Sequence, residues 1–142
     1  IGALICYEII FPDLVRRFVK NGASVVAAVT NDAWFGRSAM PFQHFSMSVF
    51  RAVENRVPVA RAANTGISGF IDSRGRVLAA SSLFVRAQMT CSIAPGSERT
   101  FYTKHGDVFA FSCTAATLCL LLLPASRRRP LRGAADGPPP AG

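Results

Sequence analysis

The feature that most restricts this chain is an apolar stretch from Val108 to Ser126 that carries no charged residue. At about nineteen residues it is long enough, as a helix, to cross a hydrocarbon layer of about 30 Å. Arg127, Arg128, Arg129 and Arg132 follow at once, as they do where the far end of a span stays in the cytoplasm. The expectation is one C-terminal transmembrane helix, residues 107–126. A tail, residues 127–142, follows; its Gly, Pro and Ala content offers no periodic apolar face and predicts disorder. A buried C-terminal helix is the other reading, and Ser112, Thr114 and Thr117 suit it. Residues 1–106 then form a domain with one modest core, and a start at Ile1 rather than methionine suggests a piece of something longer.

The net charge of +8 raises nucleic acid as a partner. Its densest cluster is the tail, however, and no basic face with interleaved aromatics precedes it, so no nucleic-acid role is expected. The four cysteines, Cys6, Cys91, Cys113 and Cys119, have neither metal-ligand nor disulfide-framework spacing. No metal and no cofactor is expected.

Apolar periodicity then orders the domain. Gly2 to Ile5 reads as a short buried strand. Phe11, Leu14, Val15, Phe18 and Val19 repeat at helical spacing, with Pro12 suited to a first helical position and Asn21-Gly22 as the stop. Ser24 to Thr30 is a valine-rich run suited to a strand buried on both faces. Phe42, Phe45, Val49 and Val53 mark a second helix from Pro41 to Asn55, with His44, Ser48, Arg51 and Asn55 on another face. His44 reads as a hydrogen-bonded scaffold residue, and Glu54 as a scaffold carboxylate within reach of Arg51 or Arg61. Val57 to Ala63, Gly69 to Ile71 and Arg76 to Ala80 read as strands joined by turns, with a further strand near Gln88 to Ile93. The fold class is α/β.

Two places in this order carry chemistry. Cys6-Tyr7-Glu8 sits where the first strand ends, and a sharp strand-to-helix turn lifts a nucleophile into a cleft while the next N–H, that of Tyr7, faces a developing oxyanion. The plain alternative is a buried structural cysteine. Glu8, two residues from the thiol among apolar neighbours, needs a partner or a function. Trp34 and Phe35 lie in a loop where large aromatics either touch a ligand or pack on the core.

Cys6-Tyr7-Glu8, Thr30-Asn31-Asp32-Ala33-Trp34-Phe35-Gly36, Gln43-His44 and Arg51-Ala52-Val53-Glu54-Asn55-Arg56, in this order, resemble the nitrilase (carbon–nitrogen hydrolase) superfamily. The run Arg61 to Ser68, the Gly106-Asp107 approach and the trailing apolar stretch are most similar to its apolipoprotein N-acyltransferase branch. The resemblance implies the second part of an αββα sandwich, carried on membrane helices and held on the periplasmic side of the bacterial inner membrane. It also implies a Glu–Lys–Cys triad. Of these only the cysteine, Cys6, lies here; Lys20 and Lys104 match no catalytic lysine, and Glu8 matches a supporting carboxylate.

The reaction so implied forms a Cys6 thioester from a phospholipid acyl donor. The acyl chain then passes to the N-terminal amine of an apolipoprotein's diacylglyceryl-cysteine, with Tyr7 N–H in the oxyanion site and Trp34 and Phe35 at the acyl entrance. Phospholipid, apolipoprotein and membrane are the expected partners. Two readings stay open beside it: a soluble amidase of the same superfamily, and a membrane-anchored module without catalysis.

Overall fold

In a computed structural model, residues 1–123 are described. Five strands form one mixed sheet in the order β1 (Gly2–Ile5), β2 (Val26–Asn31), β3 (Val59–Asn64), β4 (Gly69–Ile71) and β5 (Val77–Ala80). The first three run parallel, joined by helices α1 (Pro12–Lys20) and α2 (Met40–Asn55); β3, β4 and β5 pair antiparallel through short turns. Pro12 opens α1, and Gly22, at φ +103°, follows its Asn21 cap. A glycine in that left-handed conformation ends a helix without a Cβ clash.

Alternation along the strands divides the sheet into two unlike faces. Leu4, Val26, Ala28, Val59 and Ile71 point to one side and join Val15, Val19, Phe45 and Ala52 in a single core. The opposite face is bare: Ile5 is 67% exposed and Val29 54%. Parallel β-strands ordinarily have apolar cover on both sides, so β2, expected to be buried on both faces, is covered on one.

One expectation about the elements needs correction. The segment Gln88 to Ile93 is not a strand. Among the described residues the sheet ends at β5, and the segment joins no ladder. In α2 the polar face is buried along with part of the apolar one. Pro41, His44, Phe45, Ser48, Arg51, Ala52 and Asn55 turn inward, while Phe42 and Val53 of the apolar stripe are 54% and 41% exposed.

A short helix, α3 (Phe101–His105), closes the compact unit Ile1–Val108. The Thr100 hydroxyl donates to Glu54 O at 2.6 Å and that of Thr103 to Asn55 Oδ1 at 3.0 Å, tying α3 to the end of α2. The apolar stretch begins as helix α4 (Val108–Leu122), uncharged on every face and burying none of its side chains. Its described length is about 22 Å, and no described helix is long and apolar enough to cross a membrane. The rest of the expected span, residues 124–126, and the expected tail, 127–142, lie outside the described residues.

Candidate active site at the ends of the parallel strands

The chain leaves β1 through a 3-10 helix, Cys6–Ile10, and does so abruptly. Ile5 is extended at φ −112°, whereas Cys6 has φ +53°. A residue with a Cβ adopts that conformation only where its surroundings enforce it, commonly at a functional site. Two side chains grip the turn. Glu8 Oε2 accepts the Ile5 N–H at 2.7 Å, and Arg51 donates from NH1 to Ile10 O at 2.9 Å. Glu8 is half-buried, and its Oε2 is paired with a backbone N–H at the base of the turn rather than with a cation. Arg51 is held in turn by Glu54 at 2.7 Å. Burial pushes the Glu54 carboxyl up, against the pull of Arg51.

The thiol of Cys6 is half-buried and unpaired. Tyr7 N–H, second in the 3-10 helix, has no acceptor within it. The Tyr7 ring is half-exposed, meets Phe11 edge-on at 6.2 Å and lies 6.0 Å from the His44 ring. This is the strand-to-helix turn expected around Cys6, with an added left-handed residue.

Parallel strands end on one side of a sheet, so β1, β2 and β3 bring Cys6, Asp32 and Thr65 to a common edge, the usual place for a site in such sheets. Below that edge lies a buried polar cluster. Arg61 NH2 donates to Asp32 Oδ2 at 2.9 Å, His44 Nδ1 is 3.0 Å from Asp32 Oδ1, and Arg61 NH2 is 3.0 Å from His44 Nδ1. The Thr30 hydroxyl donates to Asp32 Oδ1 at 3.0 Å; Arg61 also reaches Ile67 O at 3.2 Å and Ser48 Oγ at 3.4 Å. Asp32, His44 and Arg61 are 1%, 3% and 4% exposed. Burial pushes the His44 imidazole down, aided by the Arg61 charge; Asp32 and the Cys6 backbone oppose the shift. Burial lowers Arg61 too, while Asp32 holds it up.

His44 is thus the hydrogen-bonded residue expected of it, but Asp32 and Arg61 were not singled out as site residues. The available signal was Arg61 itself, a charge inside the apolar run Val57 to Ala63, which cannot be buried without a counter-charge. Glu54 takes Arg51, which leaves Arg61 for Asp32.

The expected entrance aromatics occupy a second 3-10 helix, Ala33–Phe35. It is pinned where Asn31 Oδ1 accepts the Ala33 N–H at 3.2 Å and Asn64 Nδ2 at 3.2 Å. Phe35 packs edge-on against His44, ring centres 5.8 Å apart, whereas Trp34 is 83% exposed beside it. The two readings of this loop divide between them: Phe35 packs inward, and Trp34 faces solvent. Among the described residues no group of His, Cys, Asp and Glu is placed to hold a metal ion.

A nucleophile-bearing turn at the edge of an α/β sheet is shared by several hydrolase families, and comparison with known proteins separates them. Residues 1–100 match the family described as carbon–nitrogen hydrolase. The chain belongs to that family. Among curated relatives in this family, the apolipoprotein N-acyltransferase of Geobacter metallireducens is 50% identical over 91% of the chain and 25% of its own length. That of Chlorobaculum tepidum is 40% identical over 89% and 24%, and that of Haemophilus influenzae 41% over 88% and 24%. The chain therefore spans about a quarter of the length of these relatives. Among solved structures, a carbon–nitrogen hydrolase from Helicobacter pylori superposes with a TM-score of 0.51 at 15% identity, over 57% of this chain and 36% of that one. At that identity the likeness speaks to the fold alone. The nitrilase-like α/β fold read from the sequence is borne out, as is the similarity to apolipoprotein N-acyltransferases.

Proposed function

We propose that this chain carries the nucleophile of a membrane acyltransferase that N-acylates apolipoproteins. Its single strongest support is the left-handed turn at Cys6, which ends β1 on a half-buried, unpaired thiol with Tyr7 next along the chain. The Cys6 thiolate attacks the ester carbonyl of a phospholipid, a C–S bond forms, and the C–O bond to glycerol breaks. The lysophospholipid leaves with a proton, and the acyl chain remains as a thioester. The N-terminal amine of a diacylglyceryl-cysteine then attacks the same carbon, expels the Cys6 thiolate and gives up a proton as the amide forms. The base and lysine that the family resemblance implies are expected elsewhere in the full-length protein. The Tyr7 N–H contributes one oxyanion donor, a contact typically worth roughly 3 kcal/mol.

Exposed Trp34 and the half-exposed Tyr7–Phe11 pair supply an apolar rim for an acyl chain. Helix α4, apolar on all sides, supports a protein that sits at a membrane; in this reading Cys6 is periplasmic and the arginine-rich tail cytoplasmic. That helix favours a lipid-facing acyltransferase over a soluble amidase.

The test is to incubate the full-length protein with phospholipid and search the Cys6 peptide for an acyl adduct that hydroxylamine removes. The adduct is expected on Cys6, and Cys6→Ser should lose nearly all turnover, because a hydroxyl is far less acidic than a thiol. Near-normal acyl transfer by that variant would make Cys6 structural and overturn the reading.

A further inference from the structure

The acyl-transfer steps use the left-handed residue at the end of β1, but the same edge of the sheet holds another that they leave without a task. Thr65, just past β3, has φ +61°, and Phe84, in the chain that follows β5, has φ +58°. A side chain with a Cβ is rarely found there, a β-branched one least of all, and such residues gather at sites that clamp ligands. The two are joined: the Phe84 N–H donates to Thr65 O at 2.9 Å, which fastens the later loop to the end of β3. That loop supports a cation. The Arg37 guanidinium lies over the Phe84 ring, 4.8 Å from its centre. Stacking occupies the face of a guanidinium and leaves its in-plane N–H donors free. Arg86, two residues beyond Phe84, lines a cleft of about 450 Å³ together with Asn64, Thr65, Ser68 and Phe84. Asn64 also donates to the Asn31 Oδ1 that pins the Trp34 helix, so the cleft adjoins the loop from which Arg37 comes. Among the described residues, carboxylates pair with Arg16, Arg51, Arg61 and Arg76, and none serves Arg37 or Arg86. Both are exposed, beside the exposed side chains of Phe84 and Val85.

We propose that Arg37, mounted on Phe84, and Arg86 form a phosphate-binding site, and that its occupant is the phosphodiester of the acyl donor's head group. The choice of occupant rests on the acyl-transfer reading; the site for a phosphate does not. A planar guanidinium meets two phosphate oxygens with parallel N–H bonds, and a stacked one is already held in a single orientation. Phe84 and Val85 offer apolar contact to the rest of the lipid. In a phospholipid the phosphate and the ester carbonyls hang on one glycerol, so holding the phosphate restricts where the carbonyl can lie when it meets Cys6. Arg37 and Arg86 then select a phosphate-bearing donor without taking part in bond making.

The full-length protein in detergent micelles is used for the test. Phenylglyoxal, which modifies accessible guanidiniums, is applied to the native protein, and the peptides carrying Arg37 and Arg86 are followed. Diether phosphatidylglycerol has no ester to cleave, and its phosphate is its only charged group. It should slow modification of both peptides about tenfold, whereas dialkylglycerol, which lacks the phosphate, should not. Equal protection by the two lipids would overturn the proposal. Protection by inorganic phosphate as strong as that by the diether lipid at the same concentration would assign the site to a free anion and overturn the head-group assignment. Arg37→Gln and Arg86→Gln then compare donors with and without a phosphate. The ratio of kcat/KM for phosphatidylglycerol to that for p-nitrophenyl palmitate should fall about tenfold in each variant, through KM. An equal loss with both donors would leave the arginines a merely structural role and sink the proposal. If the native protein forms no acyl-enzyme while the diether lipid still protects both peptides, the proposed function fails and the phosphate site stands. If it forms the acyl-enzyme while neither peptide is protected, the proposed function stands and this site fails.

Discussion

At the scale of single residues, the site depends on an ion pair with no room to move. A Cβ added at Gly66 would collide with Asp32 Oδ2 and fall 2.7 Å from its Cγ. Gly66→Ala is therefore expected to push the carboxylate off Arg61 and to cost about 3 kcal/mol, the range for overpacking combined with a disrupted buried pair. A chemical-denaturation midpoint equal to that of the wild type would contradict the packing described. His44 carries a pH signature as well. Its folded-state value lies below the ordinary 6.5, so on acidification through that value the unfolded chain takes up a proton that the folded one refuses. Stability contributed by neutral His44 is fully present above about pH 7 and falls as the pH drops through 6.5 toward the lower folded value. The fall in denaturation midpoint between pH 7.5 and 5.5 should be shallower in His44→Gln than in wild type, and parallel curves would refute it.

The element that decides the chemistry is the short 3-10 helix between β1 and α1. Glu8 closes its first turn by accepting the Ile5 N–H. Glu8→Gln keeps an acceptor oxygen but loses its charge, so a loss of roughly 1 kcal/mol is expected, with the fold intact. Acyl-enzyme formation should slow by more than that loss of stability explains, because the turn carries the nucleophile; a wild-type rate would leave Glu8 as a simple cap. Most elements were legible beforehand, because Pro12, Asn21-Gly22 and the valine run of β2 act locally. Helix α2 was legible as a helix, but which of its faces is buried was not, since periodicity has no means of knowing that Asp32 and Arg61 wait there for His44 and Ser48. The cluster itself joins residues 29 positions apart, a pairing that only the parallel register of β2 and β3 creates. The Cys6 position was legible as a strand end, but its left-handed backbone was not, because Glu8, Arg51 and the packing around it impose that conformation on an ordinary side chain.

At the scale of the whole molecule, the proposed membrane arrangement predicts a labelling pattern. In intact spheroplasts making the full-length protein, a membrane-impermeant thiol reagent should modify a cysteine introduced at Ser73 and spare one introduced at Ala135. The reverse pattern would reject a periplasmic site with a cytoplasmic tail. The bare face of the sheet makes a second point at this scale. Ile5 and Val29 are exposed on the very strands that end at the site, so apolar cover over that face would brace the nucleophile's strand from the side opposite α1 and α2.

The mixed pairing of the sheet also has a temporal consequence. β3, β4 and β5 are joined by short turns and can zip together within microseconds, whereas β1 and β2 meet only after a helical crossover has closed, as do β2 and β3. Cys6 lies at the end of the strand whose place depends on the first of these slow events, and Arg61 on the strand placed by the second. The left-handed mount of the thiol, held in part by Arg51 of α2, is therefore expected to be completed only after these long-range pairings.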